Sequence, residues 1–230
     1  MGDAVISNSA VRERTSGHVV VVDDDPSVRK SVQTLLQREG YRVTVHESAD
    51  ALLHALAFEP PTVILSDMRM PGVSGVDLQT QLRALGHCMP MVFVSGESRH
   101  EEIIAAMKQG AVDFLLKPFS AQDLLRALQR AMQLAQEQLA QVNKISRVNE
   151  LLKRLTPREL AVCHWMVRGY SNQQIAAVDG AAAATIKLHR SRVMEKMQAN
   201  TLPDLIHMLE GIRLPEPVAA LNPGEPRGQD

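Results

Sequence analysis

The 230-residue chain predicts an α/β fold, a doubly wound five-stranded parallel sheet, joined by a long helix to an all-α helix-turn-helix domain. Three observations predict it. Between residues 18 and 120, five short apolar runs rich in β-branched residues alternate with segments of helical period, over short connections. Residues 120–155 contain no Pro or Gly and are dominated by Ala, Leu, Gln and Glu. Charge divides along the chain: residues 17–122 carry 9 basic and 13 acidic side chains, whereas residues 150–213 carry 9 and 6. An acidic half joined to a basic half suggests two domains with different partners, nucleic acid being the candidate for the basic one. Chance variation of surface residues is the competing explanation.

The elements follow in order. A Val run at 18–22 is the first strand and ends in Asp23-Asp24-Asp25. Pro26 suits a first helical turn with Asp25 as its cap. Val28, Val32, Leu35 and Leu36 then recur at helical spacing up to Gly40, which can end that helix. Residues 41–46 are the second strand, and 48–58 a helix capped by Ser48. Residues 62–66, between Pro60-Pro61 and Pro71-Gly72, are a continuous apolar run, as expected of a strand buried on both faces. A helix follows the Pro71-Gly72-Val73-Ser74-Gly75 stretch and runs to about 85. The fourth strand is 90–94, ending in Ser95-Gly96. A helix over about 98–109 stops at Gly110, and the fifth strand, 112–116, ends in Lys117-Pro118. Crossovers between such strands are right-handed.

Along the long helix, Leu128, Ala131, Ala135, Val142, Ile145 and Leu152 fit alternating steps of three and four, with Gln138 and Asn149 interrupting. The pattern suits either a coiled-coil seam or a solvated spacer. Thr156, Pro157 and Glu159 then form a capping-box signature, and Leu160, Cys163, His164 and Val167 share a helical face. Ser171 caps a short helix, 171–178, with Ile175 and Ala176 inward. Asp179-Gly180 is a turn. Residues 182–197 form the next helix, with Ile186, Leu188, Val193 and Met197 available for packing, and 201–212 the last. The expected boundaries are a disordered N-terminus at 1–16, a sheet domain at 17–122, a helical linker at 123–150, the helix-turn-helix domain at 151–213, and a disordered tail at 214–230.

The 45% apolar content can support packed cores. No apolar run approaches the roughly 18 residues of a membrane span, and residues 1–16 lack the apolar centre of a signal peptide. The two cysteines show no metal-ligand spacing and are expected as reduced thiols. The protein is therefore expected in the cytoplasm.

All strand ends of a parallel sheet lie along one side, where ligands bind. Here they carry Asp23 and Asp24, Asp67, Ser95 and Lys117. Singly, each could be a cap, a turn residue or a surface charge. Together they suit phosphoryl chemistry. Crowded carboxylates raise one another's pKa, and Mg²⁺, which takes oxygen ligands, relieves this. Asp67 can act as a nucleophile, Lys117 can balance phosphoryl charge, and the Ser95 hydroxyl can hydrogen-bond a phosphoryl oxygen. In the basic half, the helix over 182–197 would be the DNA reader, with Lys187, Arg190, Ser191, Arg192 and Lys196 interleaved with packing residues.

Residues 18–122 resemble the receiver domain of two-component response regulators, in Val-Val-Asp-Asp-Asp-Pro-Ser-Val-Arg, Ser-Asp-Met-Arg-Met-Pro-Gly, Val-Phe-Val-Ser-Gly and Asp-Phe-Leu-Leu-Lys-Pro-Phe. The resemblance implies a flavodoxin-like fold with Asp67 as phosphoacceptor. It implies Mg²⁺ bound by Asp23 and Asp24, with Asp24, Asp67 and the Arg69 backbone carbonyl as direct ligands. It also implies Ser95 and Lys117 on the phosphoryl group, Phe114 as the switch aromatic, and a cis Lys117–Pro118 bond. Residues 151–212 resemble the LuxR-type DNA-binding domain, in Leu-Thr-Pro-Arg-Glu-Leu, Arg-Gly-Tyr-Ser-Asn-Gln-Gln-Ile-Ala and Thr-Ile-Lys-Leu-His-Arg-Ser-Arg-Val-Met-Glu-Lys-Met. By that likeness Lys187, Leu188 and Ser191 would face bases, with Thr185, Arg190 and Arg192 near the backbone. The whole arrangement resembles the NarL/FixJ response regulators.

The implied function is a phosphorelay regulator, not a turnover enzyme, that also sheds its own phosphoryl group. A sensor histidine kinase would phosphorylate Asp67 and switch homodimerisation and sequence-specific binding to promoter DNA, with RNA polymerase as a further partner. The chain departs from the family in its Val-Asp-Gly-Ala-Ala-Ala-Ala turn, with Asp179 for an apolar residue, a small Ala181, and Ala182 for a Ser-like cap. That departure supports an alternative, a phosphoryl-accepting interaction module with weakened or lost DNA binding. An aspartate-dependent phosphohydrolase is disfavoured, because that class is expected to carry Asp-x-Asp on the first strand.

Overall fold

The computed structural model describes residues 17–96 and 100–214. The expected disordered ends, 1–16 and 215–230, and the expected helix start at Ser98 lie outside the described residues. The chain divides into two compact units meeting between Ala140 and Gln141.

The first unit holds β1 (His18–Val22), α1 (Pro26–Arg38), β2 (Arg42–His46), α2 (Ala49–Ala55), β3 (Thr62–Asp67), α3 (Gly75–Ala84), β4 (Met91–Ser95), α4 (His100–Lys108) and β5 (Asp113–Leu116). The strands form one parallel sheet in the order β2-β1-β3-β4-β5. Pleating sends alternate residues to opposite faces. Val19 and Val21 join one core with Val32 and Leu36 of α1, while Val20 and Val22 join the other with Leu52, Leu78, Leu82 and Ala106. Two covered faces explain why β1 is an unbroken Val run rather than an alternating one.

Local chemistry sets the helix starts. The Asp25 carboxylate accepts from Ser27 N (2.7 Å) ahead of α1, with Pro26 in the first turn, and the Ser48 hydroxyl accepts from Ala51 N (3.1 Å) ahead of α2. Helix α2 ends three residues before the expected 58. Leu56 adopts φ +39°, and the chain then brings Phe58 onto the core with its ring 5.1 Å from that of His87. Glu59 precedes Pro60, which disfavours helix there.

Helix α5 (Ala121–Leu152) runs through the whole of the linker expected over 123–150. Leu124, Ala127, Leu128, Ala131, Met132 and Ala135 are buried in the core of the first unit. At the other end Val148 and Leu151 are buried in the core of the second. The candidate seam is therefore not one continuous stripe. Most of its members are spent on two separate cores, and Val142 is 60% exposed.

The second unit adds α6 (Pro157–Val167), α7 (Asn172–Asp179), α8 (Ala183–Lys196) and α9 (Leu202–Leu209). Capping boxes start three of them, through Thr156 and Glu159, Ser171 and Gln174, and Thr201 and Asp204. Ala182, ahead of α8, makes no side-chain cap bond. Ile175, Ile186, Val193, Met197 and Leu205 are fully buried. Leu188, expected to be available for packing, is instead 50% exposed.

Both cysteines are free thiols; Cys88 is exposed, while burial pushes the Cys163 thiol up to about 12. Thiolate is the reactive form. A neutral-pH alkylating reagent should therefore modify one cysteine in the native protein and both after denaturation, as read by intact mass.

Candidate functional site

The ends of β1, β3, β4 and β5 bring the predicted acidic site together. β3 runs one residue further than expected, so Asp67 pairs in register with Val94 and is only 8% exposed. Its Oδ1 accepts from Arg69 N (2.9 Å). Its Oδ2 accepts from Lys117 Nζ (2.6 Å), which also donates to Asp23 Oδ2 at 2.8 Å. Asp23 is buried and held at two further atoms: Oδ1 accepts from Asp25 N (2.9 Å), and its backbone carbonyl accepts from the Arg29 guanidinium. Asp24 is exposed. Lys117 is itself tied by its backbone N–H to the carbonyl of buried Ser95 (2.8 Å), and the Lys117–Pro118 bond is cis.

Burial pushes the Asp23 carboxyl above the ordinary range, against the bonds from Lys117 and Asp25; the charge of Asp67 adds to the rise. Carboxylate crowding is thus secondary to desolvation there. Burial works against the Lys117 ammonium, but its two carboxylate partners outweigh that and hold its pKa above the usual lysine value. Asp23, Asp24 and Asp67 each offer one oxygen, all within 4.8 Å of one another. An all-carboxylate donor set of this spacing fits a hard divalent cation with waters. Phe114 lies on β5, half-buried against the second core of the sheet.

Gly75 was not singled out by sequence reasoning, although it closes the Pro71–Gly75 loop. Its N–H donates to Met68 O (3.0 Å), and a Cβ on it would lie 2.4 Å from the Asp67 carbonyl oxygen. Arg29, which grips Asp23, was also missed. Its sequence signals were its place one helical turn after the aspartates and at the end of the Val-Val-Asp-Asp-Asp-Pro-Ser-Val-Arg stretch.

On α8, Thr185, Lys187, Leu188, Ser191 and Arg192 are exposed. Arg190 and Lys196 are drawn into the domain instead. The Arg190 guanidinium donates to Tyr170 O (2.9 Å), and the Lys196 ammonium pairs at 2.5 Å with buried Glu159. A buried carboxylate requires such a partner. Burial works to raise the Glu159 pKa, but the bonds from Lys196 and Thr156 outweigh it and hold the carboxyl below its ordinary 4.5. A lowered folded pKa adds stability that is fully present above 4.5 and lost as pH falls through the folded value. The thermal midpoint of Glu159→Gln should therefore lie below wild type at pH 7, with the gap closing under pH 4.5. A gap independent of pH would show that the charge is not involved.

Parallel sheet, acidic strand ends and helix-turn-helix define a two-component transcription regulator. Residues 19–129 match the family model of the response regulator receiver domain, and residues 153–209 that of bacterial regulatory proteins, luxR family. The chain is 38% identical over 196 residues to Nodulation protein W of Bradyrhizobium diazoefficiens, covering 85% of this chain and 86% of that one. It is 34% identical to the transcriptional regulatory protein FixJ of the same organism, covering 84% and 95%. The solved structure of the response regulator StyR superposes with a TM-score of 0.75 at 37% identity, covering 85% of this chain and 99% of that chain. The chain belongs to the NarL/FixJ family of response regulators. Its receiver domain and helix-turn-helix indicate interaction with a sensor kinase and with DNA.

Proposed function

We propose that a sensor histidine kinase passes a phosphoryl group to Asp67. The observation that carries this reading is the Lys117 ammonium bridging Asp67 and Asp23 beside an exposed Asp24. An Asp67 oxygen forms the new P–O bond as the P–N bond to the donor imidazole breaks. The imidazole nitrogen keeps the electron pair and takes a proton. Lys117 and the Ser95 hydroxyl would bind the phosphoryl oxygens. Asp23, Asp24, Asp67 and the Arg69 carbonyl would hold Mg²⁺, which supplies the remaining charge neutralisation. Slow loss of the phosphoryl group to water would reset the site.

Ser95 and Phe114 would convey the change to the surface bearing Ile104, Met107 and Leu116, all large exposed apolar side chains suited to a homodimer contact. The dimer would present two copies of α8 to a two-fold promoter site, with Lys187, Leu188 and Ser191 toward bases and Thr185 and Arg192 toward phosphates. Arg190 and Lys196 would act indirectly, by bracing the domain. We place the protein in the cytoplasm, working with RNA polymerase. No helix among the described residues is long and apolar enough to cross a membrane. The receiver domain would run from 17 through the buried first turns of α5, and the DNA-binding domain over 151–213.

The missing cap at Ala182 favours a second reading, an interaction module with weak DNA binding. Sedimentation with and without beryllofluoride and Mg²⁺, with a genomic DNA pool titrated into both samples, separates the two. Dimerisation with tighter, salt-sensitive DNA binding is expected. Dimerisation alone would favour the second reading, and no dimerisation would overturn the proposed switch.

A further inference from the structure

Asp179 is the last residue of α7. Its side chain is 1% exposed and pairs with Arg158 in the first turn of α6. Only Oδ2 is engaged; buried Oδ1 has no hydrogen-bond partner among the described residues. A half-satisfied buried carboxylate is costly. Each charge is also misplaced for its own helix, since an acid at a C-terminus and a base at an N-terminus oppose the helix dipole. Local helix stability therefore does not account for the pair. It ties the start of α6 to the turn that launches α8.

Within that turn Ala181 packs on the core of the second unit. Gly180 takes φ +68°, and α8 begins after Ala182, which has no capping side chain. Backbone bonds from Thr185 N and Ile186 N to the Ala182 carbonyl (2.9 and 3.2 Å) close the first turn of α8. The exposed residues Thr185, Lys187 and Leu188 stand in this N-terminal half of the helix, the part of a recognition helix that meets base edges.

We propose that Arg158 and Asp179 are positioning residues for DNA reading: their ion pair replaces the absent cap and fixes how the first turns of α8 meet the bases. Base contacts need a fixed helix start, whereas phosphate attraction does not. Losing the pair should therefore erode sequence preference while leaving non-specific binding and its salt dependence in place.

The test uses the full chain with beryllofluoride and Mg²⁺. Its DNA probes are a fragment that the wild-type protein enriches from a random-sequence pool and an unselected fragment of equal length. Affinities for both are measured well below the unfolding midpoint of every variant, so that all are folded. Arg158→Gln and Asp179→Asn should each cut the ratio of selected to unselected affinity about tenfold, on the scale of one lost base contact. The double variant should lose no more than either single change. Adding Ala182→Ser to Asp179→Asn should restore much of the ratio, by returning a capping hydroxyl to α8. A ratio unchanged in both single variants, with only the unfolding midpoint lowered, overturns the proposal. So does an equal fall in affinity for both fragments, or a wild-type protein that enriches no sequence at all.

Discussion

Asp67→Asn protein incubated with acetyl phosphate and Mg²⁺ will gain no phosphoryl mass, while wild type gains one group. The amide is nearly isosteric, so its oxygen can still accept from Arg69 N as Oδ1 does now. It has no anionic oxygen to form a P–O bond, and the charge attraction of Lys117 for this position is gone. The fold should survive, because the three other bonds that fix Asp23 do not involve Asp67. The expected effect is complete loss of acceptance, read by intact mass and by a base-labile radiolabel. Phosphate still found on the variant would move the acceptor to another residue.

Gly75→Ala should be the most damaging methyl group that can be added near the site. Its Cβ would lie 2.4 Å from the Asp67 carbonyl oxygen, 3.0 Å from the Ser66 hydroxyl and 3.1 Å from the Phe93 ring. Two of these neighbours are fully buried, and the nearest is backbone in a strand ladder, so none can swing aside. Overpacking of this kind costs about 1–3 kcal/mol. In a unit of this size that is a fall in midpoint on the order of 3–5 °C per kcal/mol. The strain also bears on the residue that carries the carboxylate, so phosphorylation by acetyl phosphate should slow in the same variant. A midpoint equal to wild type would mean that the start of α3 slides freely, and that Gly75 has no part in placing Asp67.

The sheet was legible because each of its signals is local. A Val run, an Asp-Pro start and a Pro-Gly exit need no tertiary knowledge, and the same runs end in Asp23, Asp67, Ser95 and Lys117. What lay beyond reading were contacts chosen by packing. The periodicity of α5 held Leu128 and Ala135 together with Val142, yet only the fold decides that the first two are buried and the third is exposed. Arg190 and Lys196 have the composition of DNA ligands, but a free carbonyl at Tyr170 and a buried Glu159 claim them. Leu56 leaves the helix in a left-handed conformation that sequence pattern does not suggest for leucine. Asp179 was visible as a departure from the family, but the Arg158 that answers it lies 21 positions earlier.

The position of β1 and β3 within the sheet bears on time as well as on geometry. Both strands are paired on each side, and Val19–Val22 and Val63–Leu65 are almost wholly excluded from solvent. Backbone of this kind opens only when the whole unit opens, whereas marginal strands breathe at far lower free energy. Asp23 and Asp67 hang from the slow part. β5, by contrast, has a strand partner on one side only among the described residues, and Leu116 at its end is 57% exposed. The carboxylates thus keep their spacing through many local fluctuations, while the edge at β5 can open at a lower free energy than the strands that carry them.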